Sequence, residues 1–180
     1  YPSDIGMVNA LIYQFLNLAD YSLSKFTVEH ALDFVQGMEK IAGLITLENG
    51  SVWLNQTAER IRQLLNKELV HDMLHANKKN LTPTSILKFA QFLRTRFKNA
   101  TEELIEIHSK LDAYLSLAKA AKKFHFTYPE VVEAQEPCIE AEGLYHFLLE
   151  VPVAYEVKLN QSANFIFLTG ANMAGKSTFI

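Results

Sequence analysis

A single cysteine, Cys138, is the only thiol in the chain. It excludes an internal disulfide, and without partner ligands it makes no zinc site. The expected setting is therefore reducing and cytoplasmic. Seven glycines and five prolines among 180 residues leave few points at which a helix must stop. Basic excess is also lacking, since 17 Lys and Arg stand against 20 Asp and Glu, for a formal charge of -3. Whole-surface attraction to nucleic acid is thereby excluded, and any such contact must be local. No apolar run reaches the ~20 residues that cross a bilayer. The best of them, Val8 to Ala19, is interrupted by Asn9, Gln14 and Asn17 and reads as a core helix. The chain opens on Tyr1 without a basic-then-apolar leader pattern, and only Phe179 and Ile180 follow Thr178. Both ends are expected to be cuts through a longer protein.

What is present is 49% hydrophobic residues, enough for a sizeable core, in a length that suits one domain or a helical module joined to the start of another. Residues 1–126 read as a helical domain because apolar side chains recur there at three and four positions. The expected helices are 7–19, 27–46, 54–76 and 84–123. The last carries two seven-residue series, Ile86, Leu93, Ala100, Ile107, Tyr114, Ala121 and Ala90, Phe97, Leu104, Leu111, Ala118. They form an unbroken a/d seam, expected to be buried against the earlier helices. Thr82 and Pro83 supply an N-cap and a first-turn proline, while Lys119, Lys122 and Lys123 place positive charge at the C-terminal end. A helix of about 40 residues would extend roughly 60 Å.

A domain boundary is expected near residue 127, where Tyr128-Pro129 ends the helical pattern. Short apolar runs follow, around Val131, Val132, Ile139 and Phe147 to Leu149, and read as strands. Tyr155–Leu159 alternates as a half-buried strand should, Asn160–Ala163 reads as a turn, and Asn164–Thr169 is apolar enough for a buried strand. Gly170-Ala171-Asn172-Met173-Ala174-Gly175-Lys176-Ser177-Thr178 then fits the phosphate-loop pattern G-x-x-x-x-G-K-[ST]. Glycines at 170 and 175 permit a backbone whose N–H groups surround phosphate oxygens. The Lys176 ammonium opposes the outer phosphates and is the candidate catalytic residue, and the Ser177 hydroxyl is placed to ligate Mg2+. A helix beginning near Lys176 would add its positive end. His71 and His75, four apart with no third ligand in the pattern, read as ordinary surface or core histidines. Lys78-Lys79 and Lys122-Lys123 read as solvated charge.

The loop interior is more specific than the general pattern. Thr169-Gly-Ala-Asn-Met-Ala-Gly-Lys-Ser-Thr178 resembles the Thr-Gly-Pro-Asn-Met-Gly-Gly-Lys-Ser-Thr of the MutS family of DNA mismatch-repair ATPases, with Asn172-Met173 as the distinguishing pair. Lys110–Ala121 is similar to the helix that leads from that family's lever domain into its ATPase domain. Glu142-Gly143-Leu144-Tyr145-His146 falls where the family has its Gly-Arg-His-Pro motif. Departures from the pattern include Ala171 in place of a proline, Phe147 in place of the proline after the histidine, and Tyr155-Glu156 in place of an Asn-Asp or Asn-Pro near the base site. No Phe-x-Glu mismatch-reading motif is found, and the helical region leaves little room for the family's DNA-clamp insertion.

The resemblance implies a lever domain (residues 1–126) followed by the first strands and phosphate loop of a truncated P-loop α/β ATPase domain (127–180). For the full-length parent it implies ATP and Mg2+ as cofactors, ATP hydrolysis, DNA as partner and a homodimer. The nucleotide would be held by Gly170 to Thr178, with Ser177 on the metal. The 180-residue chain itself is expected to be inactive, because acidic metal ligands normally lie on strands after the loop. Two other classes stay open: a P-loop ATPase with coiled-coil arms of the ABC or SMC kind, and a helical scaffold or dimerisation module with an unused phosphate loop.

Overall fold

The computed structural model describes residues 5–46, 48, 50–172 and 175–179. The chain is mainly helical, with one small antiparallel sheet of two strands. It separates into two compact units, Tyr1–Leu115 and Ser116–Ile180.

The first unit is built from α1 (Met7–Leu16), α2 (Leu18–Ile45), α3 (Val52–Leu65), α4 (Glu68–His75), α5 (Pro83–Thr95) and the N-terminal part of α6 (Lys98–Phe124). Val28, Leu32, Val35, Met38 and Ala42 recur at three and four along α2 and form one buried stripe. Against it pack Ala58, Ile61 and Leu65 of α3, Val70 and Met73 of α4, and Phe89 and Phe92 of α5. Each large side chain so buried contributes about 1.5–3 kcal/mol. The exposed ends of two helices are closed by side chains from neighbours. Gln36 Nε2 donates to the carbonyls of Met73, Leu74 and Ala76 at 3.3, 3.2 and 3.2 Å. Arg62 Nη2 donates to the Ala42 carbonyl at 3.3 Å and to Thr46 Oγ1 at 2.7 Å, at the end of α2.

At the start of α5, Thr82 Oγ1 accepts from the Ser85 N–H at 3.2 Å with Pro83 in the first turn, as the sequence predicts. The single helix expected over 84–123 is instead two, α5 and α6, parted at Arg96 and Phe97. The Phe92 carbonyl accepts both the Arg96 and the Phe97 N–H, each at 3.0 Å, which closes α5 one residue wide of the normal ladder. Phe97 is then fully buried and stacks on Phe92 with ring centroids 5.3 Å apart. Burial of that ring ends the helix where no glycine or proline does. The expected helix over 54–76 is likewise divided at Asn66 and Lys67 into α3 and α4, α1 stops at Leu16, and α2 begins at Leu18 rather than at 27.

The seam expectation is met only in part. Leu104 is fully buried, and Ala100, Ile107 and Leu111 are half-buried against the core, but Tyr114 is 58% exposed and Ala118 is exposed. At 27 residues α6 is about 40 Å long rather than 60 Å. Tyr114 does rest edge-on against Trp53, with centroids 5.2 Å apart.

Arg60 on α3 meets Glu103 on α6 through two hydrogen bonds, Nε to Oε1 at 2.6 Å and Nη2 to Oε2 at 2.9 Å. The hydrogen bond from Arg60, reinforced by its charge, holds the Glu103 carboxyl below its ordinary value. A group lowered in the folded state stabilises above the unfolded carboxylate value and loses that contribution as pH falls through the folded one. Wild type should therefore exceed Glu103→Gln in urea midpoint at pH 7, and the gap should close below about pH 4, the range of an ordinary glutamate. A gap of constant size from pH 7 to pH 3 would contradict this.

Helix α6 ends on a left-handed residue, His125, at φ 55. The Phe126 N–H reaches back to the Ala121 carbonyl at 2.9 Å, the six-to-one bond of a Schellman ending. Glycine adopts that backbone without the penalty of about 1–2 kcal/mol paid by other residues, offset in part by its greater freedom when unfolded. His125→Gly should raise stability by about 0.5–1 kcal/mol, read as an upward shift in thermal midpoint. A lower midpoint would refute the cap assignment.

In the second unit Phe124, Phe126 and Phe147 form an aromatic trio with centroids 5.2–5.6 Å apart. Tyr145 donates its hydroxyl proton to the Phe124 carbonyl at 2.9 Å. Strands β1 (Ile139–Leu144) and β2 (Tyr155–Leu159) pair antiparallel, with Ile139 opposite Leu159, Glu140 opposite Lys158, Ala141 opposite Val157 and Leu144 opposite Tyr155. Gly143, at φ 64, occupies the irregular step between Ala141 and Leu144. Lys158 and Glu140 form a cross-strand ion pair at 2.6 Å. The turn at Asn160–Ala163 is present, with Asn160 Oδ1 accepting from the Ser162 and Ala163 N–H groups at 3.1 and 3.0 Å. Other expected strands are not. Val131, Val132 and Phe147 to Leu149 lie in irregular backbone, and residues 164–169 are unpaired and largely exposed, Phe165 at 76% and Phe167 at 78%. A continuous apolar run is buried only when strands flank it on both sides, and among the described residues none does. No helix among the described residues is long and apolar enough to cross a membrane.

Candidate functional site

The segment that fits the phosphate-loop pattern in sequence follows residues 164–169 and leads into the short helix α7 (Lys176–Phe179). Gly170 and Gly175 both adopt positive φ, 154 and 83, in backbone regions that favour glycine. Met173 and Ala174 lie outside the described residues. The Phe179 N–H donates to the Gly175 carbonyl at 3.0 Å, so Gly175 is the residue from which the helix departs, and its start at Lys176 falls where the sequence places it.

Lys176 is drawn back across the loop. Its Nζ donates to the carbonyls of Gly170 and Ala171, both at 2.6 Å. An ammonium has three N–H donors, so two close the loop on itself and one remains for an incoming acceptor. Fixing the head in this way leaves little rotamer freedom to be lost on binding. Ala171 and Asn172 are exposed, and so is Ser177, whose hydroxyl is accessible to a hydrated cation. Among the described residues no group of three or more His, Cys, Asp or Glu side chains is placed to hold a metal.

Beside the loop lies an open cavity of about 540 Å³. Thr169, Gly175 and Lys176 give it a polar, cationic end, and Leu149, Val151 and Val153, from the connection between β1 and β2, give it an apolar wall. Tyr155, the first residue of β2, is stacked on Phe179 with centroids 4.9 Å apart and donates to the Phe179 carbonyl at 3.3 Å. His146 also lines the cavity. Sequence reading noted Tyr155 and His146 only as motif positions and missed Phe179. No local signal joins two aromatics 24 positions apart, one opening a strand and the other closing a helical turn. Phe147, which stands where the family motif has proline, turns to the aromatic trio instead of the cavity. His71 and His75 lie on α4 with ring centroids 4.5 Å apart, and Cys138 is exposed.

Comparison with known proteins finds relatives in several bacteria. A DNA mismatch repair protein MutS from Persephonella marina is 39% identical over 74 residues, 39% of this chain and 8% of that protein. The relationship is MutS-like. The MutS of Pseudothermotoga lettingae is 31% identical over 86 residues, 43% of this chain and 10% of the relative. That of Lysinibacillus sphaericus is 27% identical over 153 residues, 78% of this chain and 17% of the relative. The chain thus spans from 8% to 17% of the length of these MutS proteins. No family model matches the chain. No solved structure matches it significantly.

Proposed function

We propose that this chain is part of a MutS-like DNA mismatch-repair protein, and that its loop from Gly170 to Thr178 binds the phosphates of ATP with Mg2+. The observation that carries the reading is the lysine closed onto its own loop, Lys176 Nζ to the Gly170 and Ala171 carbonyls at 2.6 Å each, with Gly170 and Gly175 before it at positive φ. A lysine held that way has its charge at the centre of the loop and one donor unspent, which suits an anion with several acceptor oxygens. Ser177 follows directly and is accessible, in the position from which a hydroxyl ligates the magnesium that bridges two phosphates.

In this reading ATP supplies the energy and the helical unit transmits the change of state to DNA, in a homodimer and in the cytoplasm. Binding places charge on the loop, and hydrolysis depends on acidic and water-orienting groups outside the residues described. The direct test is ATP turnover and binding to a mismatched duplex by the longest polypeptide that contains this chain. Turnover with DNA binding that responds to ATP supports the proposal. Absence of any nucleotide affinity in that polypeptide would overturn it.

A further inference from the structure

Helix α4 carries His71 and His75 one turn apart, and both side chains are exposed. A spacing of four puts them on one face of the helix. His75 Nδ1 lies 2.9 Å from the His71 carbonyl oxygen. A carbonyl only accepts, so Nδ1 carries the proton and donates, and in the neutral ring the lone pair sits on Nε2. Metal-binding imidazoles are held in this way, with one nitrogen anchored on a backbone carbonyl and the other left to coordinate.

The two rings stand with centroids 4.5 Å apart and are tilted by 52°. With metal–nitrogen bonds of about 2.0–2.1 Å and roughly 1.2 Å from nitrogen to ring centre, two imidazoles on one cation have centroids roughly 4.5–5 Å apart, for bond angles from right-angled to tetrahedral. The pair therefore stands at coordinating separation before any cation arrives. Imidazole nitrogen suits the borderline dications of zinc, nickel and copper, whereas magnesium takes oxygen ligands. Water fills the positions that two protein ligands leave open.

We infer that His71 and His75 together bind a borderline transition-metal dication, with water completing its coordination, and that the bound cation fastens the C-terminal half of α4. A helix of eight residues is held by its tertiary contacts rather than by its own propensity. The chelate needs residues 71–75 in helical register, so the cation binds the folded turn more tightly than the unfolded chain and stabilises the fold by mass action.

Calorimetric titration of zinc chloride and nickel chloride into the untagged chain tests this, with magnesium chloride as the hard-cation control. His30 supplies the matched control residue. Its Nδ1 is likewise set on a backbone carbonyl, that of Phe26 at 2.8 Å, but phenylalanines stand one turn away on either side. Zinc and nickel are expected to bind, and His71→Gln and His75→Gln should each weaken them by about tenfold or more, because the second imidazole is presented intramolecularly. His30→Gln should bind like the unmodified chain, and magnesium affinity should be the same in all four proteins. Zinc at about a hundredfold excess over its dissociation constant should raise the thermal midpoint of the unmodified chain by several degrees and leave that of His75→Gln in place. Undiminished zinc affinity in either His71→Gln or His75→Gln would overturn the site, and so would an equal loss in His30→Gln. Zinc binding with an unmoved thermal midpoint would overturn the fastening of α4.

Discussion

Under the proposed function, Lys176→Ala should abolish the ATP-driven activity of the longest polypeptide that contains this chain and leave its fold intact. The side chain is half-exposed, so its removal costs the folded state little. What it removes is the ammonium that spans from the helix start to the Gly170 and Ala171 carbonyls, together with the one donor still free. A hydrogen bond to a charged group contributes about 1.5–3 kcal/mol, and each 1.4 kcal/mol is tenfold in affinity. Nucleotide affinity should therefore fall by about ten- to a hundredfold, and turnover further, because transferred charge in the transition state is greater than in the bound substrate. Lys176→Arg should not restore activity, since a planar guanidinium cannot take the place of a compact ammonium between two carbonyls. Parallel measurements of steady-state phosphate release and far-UV circular dichroism check this. Normal hydrolysis by Lys176→Ala would end the assignment of the loop.

The second large effect is on stability. Phe97→Ala should destabilise the helical unit by about 3–5 kcal/mol, the usual cost of deleting a fully buried phenyl group. Phe97 has no exposed surface, stacks on Phe92, and occupies the corner at which α5 becomes α6. Domains of ordinary stability hold about 5–15 kcal/mol in total, so the loss is a large fraction of what is available. Phe97→Leu should cost much less, about 1.5 kcal/mol, because most of the volume is kept. Urea unfolding of both variants checks the order. A loss below 1 kcal/mol in Phe97→Ala would show that the corner is held by something other than this ring.

Features set by neighbours in the chain were legible beforehand. Thr82-Pro83 announces a helix start because its cap is made within three residues, and Asn160 announces a turn because its side chain bonds the backbone two and three residues on. The positive-φ positions Gly170 and Gly175 were legible for the same reason, since glycine marks the points at which the backbone takes conformations other residues avoid. The corner at Arg96-Phe97 was not. Phe97 lies in phase with the seven-residue seam, and only packing against Phe92 and the core turns it from a position within a helix into a boundary. Residues 164–169 misled in the opposite sense. Their apolar character is a statement about neighbouring strands, and a run of that kind cannot report whether the neighbours are in place. The cavity beyond the loop was only half-visible, because it joins residues from a connection, a strand and a helix that no local pattern links.

The Gln36 amide nitrogen has two hydrogens and faces three carbonyls, those of Met73, Leu74 and Ala76. All three cannot receive a full share at once, so the final turn of α4 is held by a resonating set of partial bonds rather than by one fixed arrangement. Such a degenerate joint tolerates small rotations of α4 about its own axis, because each carbonyl that moves away yields its hydrogen to the next. A single well-directed bond would resist the same rotation at its full strength. At this one contact α2 therefore holds α4 more firmly against withdrawal than against torsion, and the buried Val70 and Met73 fix the face that α4 turns to the core.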